Sequence, residues 1–173
     1  MLNRSQLSQN GTGHRQAKHV MAGTGPAYCG PGERVVFLLT GAETGGALFM
    51  AEVTIGPGGG PPPHTHQRED ETFRLLEGTL TIEVAGKTLH ASAGDLVFLP
   101  RGVEHCFKNT GDTDAKVLLV CSPAGLENFF AEAFFPAADA VDIPQMGEAF
   151  IGRVMNAARK CGLEFFVPAA MPR

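Results

Sequence analysis

One stretch of the sequence combines side chains that can bind a metal ion or move a proton. In "GPGGGPPPHTHQREDETFRLLEG", residues 56–78, a Gly/Pro-rich loop is followed by His64, His66 and an acidic run. Successive side chains of an extended segment alternate, so the two histidines point the same way. The same alternation puts Glu71 on one face with the apolar Phe73, and an inward carboxylate needs a partner because burying it alone is costly. The stretch therefore indicates two imidazoles on one face, and a carboxylate that can face the same interior.

A second stretch supplies a further histidine. In "GDLVFLPRGVEHCFKN", residues 94–109, an apolar strand leads into a turn with Pro100 and Gly102, and His105 follows with Phe107 on its face. Imidazoles and a carboxylate from separate strands can converge inside a β-barrel and bind a divalent transition metal. A single inward histidine is more often an ordinary hydrogen-bonded core residue than a ligand, and a pair two residues apart is only suggestive, so metal binding is a hypothesis at this point.

Short apolar runs bounded by turn residues surround both stretches and indicate a mainly β fold. Alternation is clear in "TLTIEV", where Leu80, Ile82 and Val84 share one face, as expected of a half-buried strand. Strands at this spacing predict a sandwich or barrel. The predicted strands are "RVVFLL", "ALFMAEVTI", "ETFRLLEG", "TLTIEVAG", "KTLHA", "DLVFLP", "HCFKN" and "AKVLLV".

The two ends of the chain differ from this β-rich middle. We predict a single domain over residues 1–173, with a polar N-terminal arm (1–30), a β-barrel (31–123) and a C-terminal helical extension (124–173). Helical spacing in "GLENFFAEAFF" and "GEAFIGRVMNAARKCGLEFF" predicts two helices whose apolar faces cover the sheet or form a dimer contact. The apolar stripes are Phe129, Phe130, Ala133 and Phe134, and Phe150, Ile151, Val154 and Ala158.

Composition argues against several classes of protein. Only 18% of the 173 residues are charged, the net charge is -4, and the Lys and Arg residues are scattered, so nothing favours nucleic acid as a partner. No window approaches the roughly 18 consecutive apolar residues of a membrane span, and the N-terminus has no apolar signal region. The four cysteines form no CxxC pair, as expected of reduced thiols. We therefore expect a cytoplasmic protein with no membrane partner.

The spacing of the first stretch resembles the first sequence motif of the cupin superfamily. Five residues separate Gly58 from His64, one separates His64 from His66, four separate His66 from Glu71, and six separate Glu71 from Gly78. Glycines at such turns permit a positive φ. The match covers every position of the motif.

The second stretch resembles the second cupin motif at every position. Five residues separate Gly94 from Pro100, one separates Pro100 from Gly102, two separate Gly102 from His105, and three separate His105 from Asn109. Asn109 is expected to be a turn or hydrogen-bonding residue. Each motif occurs once, so the chain looks like a monocupin, and the looser resemblance extends from about residue 33 to 123.

Resemblance to this superfamily implies a small jelly-roll β-barrel that holds one divalent metal ion. Glu69 and Asp70 are alternative carboxylates, but only Glu71 is separated from Gly78 by six residues, and the resemblance therefore favours Glu71. Imidazole and carboxylate ligands suit Fe, Mn, Ni, Co, Cu or Zn without choosing among them. The implied metal ligands are His64, His66, Glu71 and His105.

The segment around "PPPHTHQREDE" is similar to small bacterial monocupins related to quercetinases. That similarity implies an enzyme, a metal-dependent dioxygenase acting on a flavonol-like or other enolic aromatic molecule, with Glu71 as both ligand and general base. The alternatives are a metal-dependent isomerase or lyase on a small oxygenated substrate, and a non-catalytic cupin that binds a small ligand or metal. Germin-like oxalate oxidation is disfavoured by the lack of a signal peptide and of a disulfide pattern.

The surroundings of the implied metal are expected to be apolar. A mostly apolar cavity favours an aromatic substrate with a chelating polar end. The candidate lining residues are Phe49, Val53, Phe73, Leu75 and Phe107, and core packing explains each of them at least as well. The Phe-rich helices and a strand near Arg34 favour a homodimer that covers an exposed sheet edge.

Overall fold

The computed structural model describes residues 16–137 and 147–166. In these residues twelve strands and three helices follow one another along the chain. The strands are β1 (Ala27–Gly30), β2 (Glu33–Leu39), β3 (Phe49–Ile55), β4 (His64–His66), β5 (Asp70–Glu77), β6 (Thr79–Val84), β7 (Lys87–Ser92), β8 (Leu96–Leu99), β9 (His105–Lys108), β10 (Ala115–Ser122), β11 (Phe135–Pro136) and β12 (Leu163–Phe165). The helices are α1 (Gly41–Thr44), α2 (Leu126–Ala133) and α3 (Glu148–Cys161).

Two antiparallel sheets form the body of the fold. One sheet has the order β11-β1-β2-β3-β10-β5-β8, and the other has the order β12-β4-β9-β6-β7. Their inner faces pack into one apolar core, to which β3 contributes Phe49, Ala51, Val53 and Ile55 in strict alternation. This architecture confirms the predicted mainly β jelly roll with C-terminal helices.

All eight predicted strand segments contain a strand, and the prediction missed four short ones. In β6, Leu80 and Ile82 are buried, in line with the predicted alternation. The missed strands β1, β4, β11 and β12 have two to four residues each, too short for a periodic pattern to mark them. Because Ala27–Gly30 pairs with β2, the predicted arm is wrong over those residues, and residues 1–15 of the arm lie outside the described part.

The two predicted C-terminal helices are present as α2 and α3, but the second is shorter than predicted. Gly162 ends it with φ 79°, a left-handed conformation that favours glycine, and its N–H bonds to the carbonyl of Ala158. Leu163–Phe165 then forms β12, so the helical prediction is wrong there. Ile151, which was predicted in the apolar stripe, is exposed, whereas Phe150 and Ala158 are buried.

The structure also describes the length of the helices and the state of the cysteines. None of the helices in the described ranges is long and apolar enough to cross a membrane. All four cysteines lie in the described residues and are free thiols, of which three are buried. The domain boundaries, the cytoplasmic location and the homodimer stay predictions.

The loop before β4 is clasped to the end of β9 by backbone hydrogen bonds. Gly58 N donates to Asn109 O at 2.8 Å, and Asn109 N donates to Gly59 O at 2.9 Å. Gly60 has φ 133°, and a Cβ there would lie 2.1 Å from the carbonyl oxygen of Phe107, so only glycine permits this approach. These hydrogen bonds fix the position at which the loop leads into His64.

Asn109 stabilises the same clasp through its buried side chain. Its Nδ2 donates to the carbonyls of Ile55 and Thr113, both at 2.8 Å, and its Oδ1 accepts from Gly111 N at 3.0 Å. All three partners are backbone groups, which water cannot easily satisfy once the residue is buried. The predicted hydrogen-bonding role of Asn109 fits this arrangement.

We expect Asn109→Ala to lower the free energy of unfolding by about 2–3 kcal/mol, because it leaves buried backbone groups without partners. Far-ultraviolet circular dichroism in urea is the appropriate measurement, since the chain has no tryptophan. Asn128→Ala is the matched control: Asn128 is exposed and donates to Gly125 O at 3.1 Å, so the change should stay within about 0.5 kcal/mol. Equal losses in the two variants would contradict this role.

Candidate metal centre

The three histidines and one glutamate predicted to converge do so between the two sheets. His64 and His66 come from β4, His105 from β9 and Glu71 from β5 of the other sheet. One potential ligand atom of each lies within 4.8 Å of those of the others. All four residues are buried, with only 2–4% of their surface exposed. The cluster is consistent with a single metal ion.

Backbone carbonyls orient two of the imidazoles. His64 Nδ1 donates to Pro62 O, and His105 Nδ1 donates to Val103 O, each at 2.9 Å. A carbonyl oxygen can only accept, so the proton of each neutral ring is on Nδ1 and the lone pair is on Nε2. The two strands place these residues side by side, because His64 and His105 are register partners. Both rings therefore present Nε2 as a ligand atom.

The atoms that face one another in the cluster call for a cation between them. His105 Nε2 lies 3.2 Å from Glu71 Oε2, and in the neutral tautomer both atoms are acceptors. Neither ring nitrogen of the buried His66 has a hydrogen-bond partner among the described residues. Its Nε2 lies 3.8 Å from Glu71 Oε1, and its Nδ1 lies 3.8 Å from Glu69 Oε2. Unpaired buried acceptors are what a metal ion satisfies, so the residues fit a metal.

The charges of the cluster favour the same conclusion. Burial, and then the neighbouring His105, lower the pKa of His64 to about 4, which keeps this imidazole neutral and able to ligate. Burial works against ionisation of Glu71, but His66 and His105 outweigh it and hold the pKa of Glu71 below its usual value. Burial likewise opposes a charged His66, yet Glu71 and Glu69 raise its pKa. The site thus attracts positive charge, which a metal can supply in place of a proton.

The structure separates the three acidic neighbours. Asp70 points outward and binds Arg101, whose Nη2 donates to Asp70 Oδ2 at 2.8 Å. Hydrogen bonds from Arg101 lower the pKa of Asp70 to about 2. Glu69 is buried on the far side of His66, where its carboxylate faces Nδ1. Of the three, Glu71 alone belongs to the cluster.

Hydrogen bonds between the two motifs hold the cluster together. Gly102 N donates to the carbonyl of His66 at 2.8 Å, so the turn before His105 is fixed to the strand that carries His66. Gly102 has φ 74°, in agreement with its predicted positive φ. The C-terminal strand β12 closes the other side of β4, with Leu163 opposite His66 and Phe165 opposite His64. Sequence reasoning missed this contribution.

The cluster opens onto a large apolar cavity of about 460 Å³. Val53, Phe73 and Phe107 line it as predicted, whereas Phe49 and Leu75 are buried in the core and do not. The rest of the wall comes mainly from the C-terminal segment, whose helices were predicted only to cover a sheet or a dimer contact. The lining residues of that segment are Leu126, Phe129, Phe130, Phe134, Phe150, Ile151, Val154, Met155, Leu163 and Phe165.

A second carboxylate, Glu33, also lines the cavity. It is the first residue of β2 and shares a face with the buried Val35 and Phe37. Sequence reasoning missed it because the predicted strand began at Arg34. Extending the alternation of "ERVVF" by one residue would have placed Glu33 inside.

The comparisons with known proteins agree with this geometry. A sequence model of the cupin domain matches residues 51–121. "Germin-like protein 5-1" of Oryza sativa subsp. japonica is 45% identical over 85 residues, which are 46% of this chain and 38% of that protein. "Tetracenomycin polyketide synthase protein TcmJ" of Streptomyces glaucescens is 26% identical over 107 residues, 62% of this chain and 72% of that protein.

A solved structure supports the fold. The predicted oxalate decarboxylase of Thermotoga maritima superposes with a TM-score of 0.53 at 27% identity, over 57% of this chain and 92% of that chain. The chain spans about two fifths of the length of the first germin-like relatives. These relatives are germin-like proteins and bacterial cupins, and the finer quercetinase-like assignment stays a prediction.

We expect His64→Ala and Glu71→Ala to fold but to lose stoichiometric metal, because each removes one ligand of a single ion. Removing a residue that only hydrogen-bonds to a metal ligand costs up to about 100-fold in metal affinity. Removing a ligand itself should therefore lower the affinity by more than about 100-fold. Elemental analysis of the purified proteins, with circular dichroism to verify folding, is the measurement.

Two substitutions are matched controls for this loss. His90→Ala removes an exposed imidazole on β7, and Asp70→Asn removes the outward carboxylate next to Glu71. Both should retain the metal content of the unmodified protein. Unchanged metal in His64→Ala and Glu71→Ala would contradict the site.

Proposed function

We propose that this chain, which belongs to the cupin superfamily through residues 51–121, binds one divalent metal ion and acts as a dioxygenase on a flavonol-like or other enolic aromatic small molecule. The observation that carries the proposal is the combination of a buried His/His/Glu/His cluster with an apolar, aromatic-lined cavity directly above it. Jelly rolls of this kind host several chemistries, so the argument rests on this site and its cavity.

His64, His66, Glu71 and His105 would hold the metal. Neutral imidazoles and one carboxylate suit Fe, Mn, Ni, Co, Cu or Zn. When bound, such an ion supplies Lewis-acid polarisation of a chelating substrate oxygen and, if it is redox active, electron transfer with dioxygen. Proton acceptance and substrate binding would be carried out by the residues of the chain.

Glu71 is placed to accept the proton of a substrate hydroxyl group. Its carboxylate is buried at the floor of the cavity, and its pKa is held below the usual value by His66 and His105. The lowered pKa keeps the carboxylate ionised, and an ionised carboxylate within hydrogen-bond reach of a substrate hydroxyl group can accept its proton. Glu71 would therefore have two roles, as ligand and as general base.

The cavity wall selects the size and polarity of the substrate. A volume of about 460 Å³ lies within the range of sites that take drug-sized ligands. Phe73, Phe107 and Phe129 present aromatic surface to a ligand, and such rings favour a flat aromatic partner. A small dianion such as oxalate would leave most of this cavity unfilled.

A second candidate is a metal-dependent lyase that acts without dioxygen. It is favoured by the similarity to the predicted oxalate decarboxylase of Thermotoga maritima, most of whose length the chain covers. A lyase would use the same cluster to polarise a carboxylate or keto group. The two candidates differ in whether dioxygen is consumed.

We expect the protein loaded with a redox-active metal to consume dioxygen mole for mole with 3-hydroxyflavone or quercetin. An oxygen electrode measures the uptake, and chromatography identifies the cleaved product. The zinc-loaded protein should bind the flavonol without uptake, and His64→Ala should reduce uptake to background.

The outcomes separate the candidates. No uptake with any of Fe, Mn, Ni, Co or Cu would contradict the dioxygenase. Turnover of a carboxylate or keto substrate with no oxygen consumed would favour the lyase, and tight binding without turnover would favour a binding protein.

A further inference from the structure

Glu33 is a carboxylate that the metal cluster does not use. It lines the same cavity as His64, His66 and Glu71. Its Oε1 is buried and has no hydrogen-bond partner within the described part of the chain. Burying a carboxylate oxygen without a partner is costly. A residue with a purely structural role would be expected to have a partner from the protein itself.

The surroundings of Glu33 determine its protonation. Burial, and then the negative charge of Glu71, raise its pKa to about 7. The described residues of the cavity wall include no lysine or arginine to offset this. A substantial share of Glu33 is therefore a neutral carboxylic acid at neutral pH, and such a group can both donate and accept a hydrogen bond.

Glu33 and Glu71 project from different places along the sheet. Glu33 pairs with Ile55, which pairs with Ala115. Glu71 pairs with Cys121, six residues further along β10. The two carboxylates are thus separate polar points in a cavity whose remaining wall is mostly apolar.

We propose that Glu33 is a substrate-binding residue that anchors a hydroxyl group of the ligand at a distance from the metal cluster. The inference rests on the proposed function and narrows its substrate class to an aromatic molecule with two oxygen functions, a chelating pair at the cluster and a distal hydroxyl at Glu33. The hydroxyl supplies the hydrogen-bond partner that the protein does not. Glu33 lies outside residues 51–121, so it would give this chain a specificity that the cupin domain alone does not determine.

Three flavonols test the proposal by binding alone. The probes are 3-hydroxyflavone, which has only the chelating pair, and 3,7-dihydroxyflavone and 3,4′-dihydroxyflavone, each with one distal hydroxyl group. Affinities are measured by ligand fluorescence on zinc-loaded protein, so that no turnover interferes. We expect one dihydroxyflavone to bind about 10- to 100-fold more tightly than 3-hydroxyflavone, the gain of a hydrogen bond to a buried acid.

Variants at Glu33 test whether this residue is the source of the gain in affinity. Glu33→Leu should remove the preference for the distal hydroxyl and leave the metal content unchanged. Glu33→Gln, which still donates and accepts, should keep part of the preference. Glu52→Leu is the matched control, because Glu52 lies on β3 on the opposite face of the sheet and should leave the preference intact.

Unfolding in urea adds a readout that ligand binding does not affect. Since Glu33→Leu removes a carboxylate whose Oε1 is buried without a partner, it should unfold at the same or a higher urea concentration than the unmodified protein. A lower midpoint for both Glu33→Leu and Glu33→Gln would indicate a structural role and overturn the proposal.

The binding results distinguish this inference from the proposed function. If the flavonols bind and Glu33→Leu and Glu33→Gln both keep the unmodified preference, the inference on Glu33 is overturned and the proposed function stands. If the unmodified zinc-loaded protein binds none of the three flavonols, the proposed substrate class fails, and the inference that rests on it is overturned with it.

Discussion

Three imidazoles and one carboxylate meet at a buried point, and the surrounding structure serves to keep them there. Their facing atoms are acceptors, so they repel one another unless a cation lies between them. The backbone resists that repulsion: the carbonyls of Pro62 and Val103 orient two of the rings. Hydrogen bonds from Gly58 to Asn109 and from Gly102 to His66 tie the two motifs to each other. A cation-binding site of this kind costs folding free energy until the cation is present.

The metal cluster and the cavity above it come from different parts of the chain. The four candidate ligands lie within residues 51–121, which match the cupin domain. The aromatic wall lies mostly in α2, α3 and β12, and Glu33 comes from β2 before the matched segment. In the proposed function, the cluster would supply the chemistry and the flanking elements would select the molecule that reaches it. A protein with this cluster and different flanks would be expected to take a different substrate.

The sequence was informative where period and spacing are strong. Strict alternation marked the strands, and the spacings of both motifs, through their resemblance to the cupin pattern, predicted His64, His66, Glu71 and His105 as ligands. The sequence was uninformative for elements that are too short to show a hydrophobic period, such as β12. It also did not reveal that Gly162 ends α3, because the helical pattern of apolar residues continues past this glycine. The Phe-rich stripes indicated burial, but a stripe does not reveal whether it covers a sheet or faces a cavity. Glu33 was missed for a local reason, since a charged residue at the start of a strand resembles the turn before it.

The central claim is that these four side chains hold one metal ion. An anomalous difference map from crystals of the purified protein, collected at the absorption edge of the metal found by elemental analysis, tests it most directly. We expect a single peak at about 2.0–2.2 Å from the Nε2 atoms of His64 and His105, a nitrogen of His66 and an oxygen of Glu71. A map with the metal bound elsewhere, or with no peak among the four side chains, would contradict it.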